Sequence, residues 1–499
     1  MLPMRHLFRE HHLYKTGRLL LRPPQDVVDL TARQQIALIR KREISCLELL
    51  DAHLAIIDLL NPTLNAIVTQ VPDAARQTAE RLDHKWAAGE DPGPLTGLPI
   101  AHKDLSATQG IRTTFGSRIY SDNIPNRNAL FIDRLQAAGC VTLGKTNAPE
   151  VGYGSQTFNE VFGATCNPYA HDRTCGGSSG GAASALAARM IPIADGGDFG
   201  GSLRNPAAFC NVVGFRPSIG RVPQEDSQGF FPMRVLGPMA RTVDDTALLL
   251  SAMAGPHVRD VQSLTDRGKL FDTSLDLSVQ GLKIGFSSDF AGQAAVDADV
   301  QSVISGNQRV LEDMGCNVET FHPDFSGADE VFQTLRAWHF AGVFSAGIKD
   351  HPEMYKDTII WNTEQGQHLT GMDIHAVEVL RTEVVRRFRA YFEQYDFLVM
   401  PVTQVTAFDI TTDWVREING ETQHTYLDWM RSCYWISVTG LPAISVPGGF
   451  TPDGLPVGLQ IVGPPHQDLA VLKMAHAFEQ VTGHYLVRPA ILVDALSQD

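Results

Sequence analysis

Apolar residues along this chain recur in two rhythms, one typical of amphipathic helices and the other of buried strands. A capping box from Ser45 to Glu48 opens a stripe of leucine and isoleucine residues at helical spacing, which Asn61 and Pro62 are predicted to end. A second stripe between residues 374 and 391 predicts a long helix. Strand and helix patterns alternate over most of the chain, which favours an α/β sheet protein.

The remaining helical and extended patterns are short and are bounded by glycine and proline. Further helices are predicted at residues 72–88, 128–139, 243–253 and 300–314. Strands are predicted at residues 66–69, 99–101, 141–143, 281–286, 317–321, 395–400, 443–446 and 457–462. The stretch between residues 144 and 149 is predicted to be a loop, and no fixed-period repeat or low-complexity linker divides the chain.

The charge balance restricts the classes of partner. The 499 residues carry a formal net charge of −15, which would repel a nucleic acid or an anionic membrane surface. No apolar run reaches the roughly 18 residues of a transmembrane helix. Seven cysteines are scattered without a CxxC pair, which indicates reduced thiols in a cytoplasmic protein. The basic residues 1–25 are interpreted as a poorly ordered leader, with an organellar targeting or docking arm as the alternative.

Two glycine-flanked serines mark the candidate chemistry, Ser178 within CGGSSGG and Ser202 within DFGGSLRNP. The two serines lie 24 residues apart. Glycine on both sides of a serine lets backbone N–H groups converge where side chains would otherwise block them. The stretch therefore suits the presentation of a nucleophilic hydroxyl beside an oxyanion hole.

A serine nucleophile needs a neighbouring base that takes its proton. No Gly-x-Ser-x-Gly elbow with a well-placed downstream histidine is present, which disfavours a Ser-His-Asp arrangement. Lys103 follows the apolar run at residues 99–101 and could either snorkel to solvent or stay inside, where burial would lower its pKa enough for a base. Strand alternation turns His102 to the opposite face, so Lys103 is the preferred base. Cys175 lacks a nearby basic partner and is interpreted as a spacer rather than a thiol nucleophile.

Aromatic residues accumulate late in the chain. Five of the six tryptophans lie beyond residue 330, alongside Phe332, Phe340, Tyr426 and Tyr434. They predict either an aromatic-lined substrate pocket or ordinary core packing, and both alternatives stay open at this point.

Six short motifs, taken together, resemble those of the amidase signature family of amide hydrolases. They are LTGLPIAHKD at residues 95–104, GKTNAPE at 144–150, RTCGGSSGG at 173–181, DFGGSLRNP at 198–206, GLPAISVP at 440–447 and GLPVGLQIV at 454–462. The joint order and spacing of the lysine and the two serines make the pattern specific, and the resemblance covers residues 26–485.

The resemblance implies a fold and an organisation. The fold is a single large α/β domain at residues 26–485, with a central twisted mixed β-sheet covered on both faces by helices. Within it, the resemblance implies a catalytic core at about 95–256, a helical, aromatic-rich substrate region at about 325–440 and C-terminal strands at 440–465, followed by a tail at 486–499. It implies no metal or organic cofactor, and it suggests a homodimer that acts on a small-molecule amide.

The resemblance also implies site residues. Ser202 would be the nucleophile, Ser178, preceded by a cis peptide bond, the proton relay, and Lys103 the base. The oxyanion hole and substrate-binding positions are carried over to Phe199, Gly200, Gly201, Ser202, Gly152, Tyr153 and Gly154. Supporting roles are carried over to Ser179, Asp198 and Arg204. The sequence departs from the family pattern at Phe199 and His102, which bears on substrate details rather than on the reaction class.

Three functions are consistent with these motifs. The preferred one is hydrolysis of a small, apolar or aryl carboxamide through a serine acyl-enzyme, which gives a carboxylate plus ammonia or an amine. The second is the glutaminase subunit of a tRNA-dependent amidotransferase, which the sequence after Met400 and the tryptophan-rich region disfavour. The third is a non-catalytic scaffold on the same fold, which retention of all three triad residues disfavours.

Overall fold

The computed structural model describes residues 27–225, 231 and 233–496. The leader expected at residues 1–25 lies outside the described residues, as do the last three residues of the predicted tail. Within the described part of the chain, no helix is both long enough and apolar enough to cross a membrane.

Helices follow the amphipathic patterns of the sequence. In chain order, the α-helices of the described residues are α1 (Ala32–Arg40), α2 (Cys46–Leu64), α3 (Pro72–Ala87), α4 (Leu130–Ala137), α5 (Gly180–Ala187), α6 (Arg204–Phe209), α7 (Val243–Met253), α8 (Ala298–Asp313), α9 (Ala328–Asp350), α10 (Asp357–Gln367), α11 (Gly371–Tyr391), α12 (Arg431–Thr439), α13 (Asp468–Thr482) and α14 (Ala490–Leu496). The helices predicted around α3, α4, α7, α8 and α11 are confirmed, with ends that differ by at most a few residues.

Strands come from the short apolar runs. In chain order they are β1 (Ile67–Gln70), β2 (Pro99–Lys103), β3 (Val141–Thr146), β4 (Phe158–Asn159), β5 (Gly163–Ala164), β6 (Cys166–Asn167), β7 (Ala170–Thr174), β8 (Ile193–Asp198), β9 (Val213–Arg216), β10 (Val235–Ala240), β11 (Lys283–Phe286), β12 (Asn317–Thr320), β13 (Phe397–Pro401), β14 (Glu417–Ile418), β15 (Glu421–Thr422), β16 (Ala443–Phe450) and β17 (Pro456–Val462). The eight predicted strands all appear among them.

Eight strands form the central sheet in the order β12-β11-β13-β17-β16-β9-β10-β8. β11 runs parallel to β12 and β13, whereas the other neighbouring strands are antiparallel, so the sheet is mixed. Strands β13, β16 and β17 are buried along almost their whole length, as expected for strands that have helices on both faces. The predicted α/β fold with a large mixed sheet is confirmed.

A second sheet, of three strands in the order β1-β3-β2, lies beside the edge strand β8. Asp195 on β8 links the two sheets, because its Oδ2 accepts the backbone N–H of Lys103 at 3.3 Å and its Oδ1 lies 2.6 Å from His102 Nδ1. The Asp195 and His102 side chains are fully buried. The end of β2 that carries Lys103 is thereby fixed against the strand that leads to Ser202.

The helix that begins at the Ser45 capping box is longer than predicted. Both hydrogen bonds of the box are present, but α2 runs to Leu64 and contains Pro62, so the prediction that Asn61 and Pro62 end it is wrong. Asn65, in the left-handed conformation with φ 49°, ends the helix instead. The Asn61 side-chain oxygen accepts two backbone N–H groups beyond this end, which organises the turn despite the nearby proline.

The predicted loop at residues 144–149 begins as a strand, and the prediction is wrong up to Thr146. These residues complete β3, where Lys145 lies opposite His102 and Thr146 lies opposite Lys103 in parallel register. The polar residues conceal the strand in the sequence, because a buried lysine requires internal partners. Lys145 Nζ donates to Thr108 Oγ1 at 2.7 Å, and burial lowers the pKa of Lys145 to about 8.

Gly181 in α5 packs directly against the backbone of neighbouring segments. A Cβ there would lie 2.4 Å from Asn147 N and 2.7 Å from Ala66 O, and main-chain atoms cannot rotate away. We expect Gly181→Ala to lower the free energy of unfolding by roughly 1–3 kcal/mol, the usual cost of overpacking. Urea denaturation followed by circular dichroism measures the change.

Gly306→Ala in α8 is the matched control, because a Cβ at Gly306 meets nothing within 4 Å. We expect it to raise the free energy of unfolding by up to about 1 kcal/mol through helix propensity. Equal effects of the two substitutions would contradict the packing role of Gly181.

Candidate active site

Lys103 lies at the end of β2 with its amine inside the protein. The residue is 2% exposed, and its Nζ donates to Ser178 Oγ at 2.9 Å and to Ser179 Oγ at 2.8 Å. No carboxylate of the described residues forms an ion pair with it. Burial lowers the pKa of Lys103 to about 7, although the charges of Asp195 and Asp198 oppose the shift. The amine is therefore neutral in a large fraction of molecules near pH 7 and can accept a proton.

Glycine residues bring Ser178 to this amine. Gly176 has φ 74°, and a Cβ on it would lie 2.6 Å from Asn205 Oδ1, so the turn requires glycine. The Gly177–Ser178 peptide bond is cis. Ser178 is 3% exposed and Ser179 is fully buried, so both hydroxyls meet Lys103 away from bulk water.

Ser202 lies in the loop that follows β8. The backbone N–H of Ser179 donates to Ser202 O at 3.2 Å, which holds the two serine-bearing loops together. Gly201 has φ 112°, and a Cβ there would lie 2.4 Å from Cys433 Cβ, so this turn also requires glycine. Ser202 is partly exposed whereas Ser178 is buried, so Ser202 is the serine that a solute can reach.

A buried ionic cluster shapes the Ser202 loop. Asp198 accepts from Arg204 Nε and Nη2, each at 3.0 Å, and from Arg216 Nη1 at 3.1 Å, and the three side chains are 0% exposed. Asp198 Oδ1 also accepts the Gly201 N–H at 2.9 Å. Burial alone would raise the pKa of Asp198, but the two arginines outweigh it and hold the pKa below its ordinary value. Asp198 therefore stays ionised and anchors the loop.

The segment from Gly152 to Gly154 contacts α9 and the start of α10. The Tyr153 ring lies 4.2 Å from the Phe340 ring, and its Oη lies 2.8 Å from His339 Nε2. The Tyr153 carbonyl accepts from Lys356 Nζ, and a Cβ at Gly154 would lie 3.2 Å from that Nζ. The segment thus reaches the substrate region expected beyond residue 325.

Two phenylalanines cover the loop before Ser202. A Cβ at Gly200 would lie 2.9 Å from Phe332 Cζ, and the Phe199 ring centroid lies 5.4 Å from that of Phe332. Phe332 in turn stacks on Tyr434, with ring centroids 4.2 Å apart. This side of the site is therefore aromatic.

The tryptophans beyond residue 330 lie partly in the core and partly at the surface. Trp429 and Trp435 are core residues, 1% and 3% exposed, whereas Trp338 and Trp361 are exposed at the surface. Core packing is therefore confirmed for Trp429 and Trp435, whereas the aromatic-lined substrate pocket stays a prediction, for which the phenylalanine and tyrosine rings beside the Ser202 loop are the candidates.

Two charged residues near the site are absent from the sequence predictions. Asp195 is a carboxylate on β8, which begins with isoleucine and alanine and continues with two glycines before Asp198, and it contacts His102 and the Lys103 backbone. Arg336 lies on α9 between Phe332 and Phe340 at helical spacing, and its guanidinium carbon is 5.4 Å from the centroid of the Phe199 ring. A charge between phenylalanines at helical spacing is the signal that could have indicated Arg336, and a carboxylate inside the short strand before Ser202 is the signal that could have indicated Asp195.

Cys175 occupies the position expected of a spacer. The residue is fully buried, and burial raises the pKa of its thiol well above the ordinary value. Its Sγ donates to Gly176 O at 3.5 Å, so it packs beneath the Ser178 loop. A buried, protonated thiol is a poor nucleophile.

Comparisons with known proteins bear on what this arrangement does. The family model described as Amidase matches residues 48–472. The acylamidase of Rhodococcus erythropolis is 34% identical over 465 residues, which cover 91% of this chain and 95% of that protein. One of the subunits of the glutamyl-tRNA(Gln) amidotransferase of Geobacillus thermodenitrificans is 34% identical over 491 residues, which cover 93% of this chain and 99% of that protein. The solved structure of a bacterial aryl acylamidase superimposes with a TM-score of 0.86 at 30% identity, and the match covers 93% of this chain and 98% of that chain.

Asp198→Asn tests the ionic cluster. The substitution leaves the buried charges of Arg204 and Arg216 without their carboxylate, so we expect the free energy of unfolding to fall by about 3–5 kcal/mol. The midpoint of urea denaturation measures the loss. Asp413→Asn is the control, because Asp413 pairs with Arg416 where both side chains are more than half exposed, and its expected effect is below about 1 kcal/mol. A loss as small as that of the control would show that the cluster does not hold the fold.

Proposed function

The chain belongs to the amidase signature family and is an amide hydrolase, and we propose that it cleaves its substrate through an acyl-enzyme formed on Ser202. The observation that carries this proposal is the buried Lys103 amine, which has a pKa of about 7 and lies 2.9 Å from Ser178 Oγ. A neutral lysine is a competent base near pH 7, and the Ser178 hydroxyl extends its reach towards the partly exposed Ser202.

In the proposed reaction, protons move along Ser202, Ser178 and Lys103. Ser202 Oγ attacks the amide carbonyl carbon while its proton passes to Ser178 Oγ and the Ser178 proton passes to Lys103 Nζ. The tetrahedral intermediate collapses with cleavage of the C–N bond, and the amine leaves with the proton that Lys103 returns through Ser178. Water then attacks the ester by the same route and releases the carboxylate. Ser179, 2.8 Å from Lys103 Nζ, supports the amine from the side.

The developing oxyanion is assigned to backbone N–H groups in the loop from Phe199 to Ser202. Phe199, Gly200 and Ser202 supply the donors, whereas the Gly201 N–H is engaged by Asp198. Because Asp198 is itself held by two arginines, the loop stays in one conformation while charge develops.

The proposed substrate is a small carboxamide with an apolar or aryl group. The rings of Phe199, Phe332 and Tyr434 support this choice, because they cover the loop that presents Ser202. The similarity to an acylamidase and to an aryl acylamidase points in the same direction. The products would be a carboxylate and ammonia or an amine.

The proposal extends to a homodimer that works in the cytoplasm. The homodimer rests on the family resemblance, and light scattering of the purified chain tests it. All seven cysteines are free thiols, in keeping with a reducing compartment.

The isolated chain is expected to release aniline from acetanilide and to leave glutamine intact. Ser202→Ala is expected to abolish aniline release, and a fluorophosphonate probe is expected to label the native chain at Ser202 but not the variant. Colorimetric assay of aniline and of ammonia, with mass spectrometry of the labelled peptide, measures these outcomes. Release of ammonia from glutamine without release of aniline would instead favour the alternative function in glutamine hydrolysis. Labelling that survives Ser202→Ala would refute the assignment of the nucleophile.

The activity is expected to rise with pH through about 7. Below the Lys103 pKa of about 7 the amine is protonated and cannot accept the serine proton, so kcat/KM falls as the pH drops from 8 to 6.

Lys103→Ala is expected to lower kcat by about 10³-fold or more, as loss of a triad member does. Lys85→Ala, at an exposed position on α3, is the control. Near-native activity of Lys103→Ala at pH 7 would contradict the assignment of the base.

A further inference from the structure

Arg336 places a buried positive charge beside the proposed site. The residue is 4% exposed, and its Nε and Nη2 donate to the same oxygen, Tyr426 Oη, at 3.2 and 2.9 Å. Burial raises the pKa of Tyr426, although Arg336 opposes the shift, so the phenol stays neutral. Within the described part of the chain, no ion pair includes Arg336. The guanidinium is therefore buried without a carboxylate to neutralise it.

Aromatic rings surround this guanidinium. The distances from Arg336 Cζ to the ring centroids are 4.6 Å for Phe340, 4.9 Å for Tyr153, 5.4 Å for Phe199, 5.6 Å for Tyr426 and 5.8 Å for Phe332. Rings stabilise a cation through their quadrupoles but carry no net charge. They exclude water while leaving the positive charge uncompensated, which strengthens its attraction for an anion.

A second, half-buried cation, Lys356, adds to the local positive charge. Lys356 Nζ donates to the Tyr153 carbonyl, and Glu150 Oε2 accepts the Lys356 backbone N–H at 3.1 Å. Burial lowers the pKa of Lys356 to about 8. The charge of Glu150 raises this pKa, whereas the charge of Arg336 lowers it, so the two cations are close enough to repel each other. Glu150 thus acts on Lys356, and among the described residues no carboxylate is ion-paired with Arg336, in a chain whose net charge is −15.

The uncompensated charge lies next to the proposed oxyanion loop. Phe199, whose ring contacts Arg336, precedes Ser202 by three residues, and Phe332 covers Gly200 from the same helix that carries Arg336. The rings of Phe199 and Phe332 thus lie between the loop that presents Ser202 and the guanidinium, because both rings contact each other and Arg336.

We propose that Arg336 binds a carboxylate of the substrate, so that the preferred substrates are amides that carry a carboxylate as well as an apolar or aryl group. A planar guanidinium matches a carboxylate in shape and charge. This inference rests on the proposed function, because it places the carboxylate relative to the amide that Ser202 attacks.

Two matched pairs of probes test the proposal. In the first pair, 4-acetamidobenzoate and 4-methylacetanilide, a carboxylate or a methyl group lies on the amine side of the amide. In the second pair, the 4-nitroanilides of succinic acid and of butyric acid, the same exchange lies on the acyl side. The measured quantity is the ratio of kcat/KM between the two members of a pair, which cancels differences in the amount of folded enzyme.

The native chain is expected to prefer the carboxylate member of at least one pair, and Arg336→Met is expected to lower that ratio by about 10- to 100-fold, the usual worth of hydrogen bonds to a charged group. Arg336→Lys, which keeps the charge but loses the planar fork, is expected to lower it less. Lys349→Gln removes an exposed charge from the same helix and is expected to leave the ratio unchanged. A native chain without a preference in either pair, or a preference that Arg336→Met retains, would overturn the proposal.

Binding separates this inference from the proposed function. Calorimetric titration of the Ser202→Ala variant with 4-acetamidobenzoate and with 4-methylacetanilide, and with the second pair, requires no turnover. If a carboxylate member binds more tightly and this advantage is lost when Arg336→Met is added, the inference is supported. It is supported even if the native chain hydrolyses none of the probes, because the absence of hydrolysis refutes only the proposed function. Equal binding within both pairs overturns the inference even if acetanilide is hydrolysed.

Discussion

The burial of one lysine among hydroxyl groups is the constraint on which the site depends. Lys103 meets Ser178 and Ser179 rather than a carboxylate, so burial lowers its pKa to about 7 without an ion pair at the amine to prevent the shift. A direct ion pair would keep the amine protonated and useless as a base. The glycine-rich turn that carries Ser178 and Ser179 packs closely against its neighbours. Both hydroxyls therefore reach the amine and occupy the place that a carboxylate would take in an ion pair.

The nearby carboxylates are compatible with this constraint because other groups hold them. Asp195 lies against His102 and the Lys103 backbone, and Asp198 is held by Arg204 and by a second arginine. Their charges raise the pKa of Lys103 without an ion pair at its amine. The same groups also have structural roles, because one carboxylate joins the two sheets and the other shapes the Ser202 loop. The two carboxylates that raise the pKa of Lys103 are therefore the same ones that hold the sheets and the Ser202 loop in place.

The sequence predicts the parts of the site that reside in short motifs. The glycines around Ser178 and Ser202 have strict conformational requirements, so local residues reveal them, and the long apolar stripes similarly predict most helices and strands. The strand position of Lys145 escapes prediction because its burial depends on partners in another segment. Arg336 escapes it as well, because its importance comes from rings that are up to 183 residues away in the chain, such as Tyr153. Residues whose environment is assembled only by tertiary contacts carry little local signal.

The order of strands in the central sheet has a consequence for biosynthesis. β16 and β17 lie in the interior of the sheet although they follow all other strands of the described residues in chain order, and β9 pairs directly with β16. Arg204, which holds the carboxylate beneath the Ser202 loop, also donates to Ser437 Oγ and to Gln460 Oε1. A nascent chain that already contains Lys103, Ser178 and Ser202 therefore lacks the framework that aligns them. The central sheet can therefore close only after β16 and β17 have left the ribosome, so a chain that stops before them carries the three residues without the strands that hold their loops.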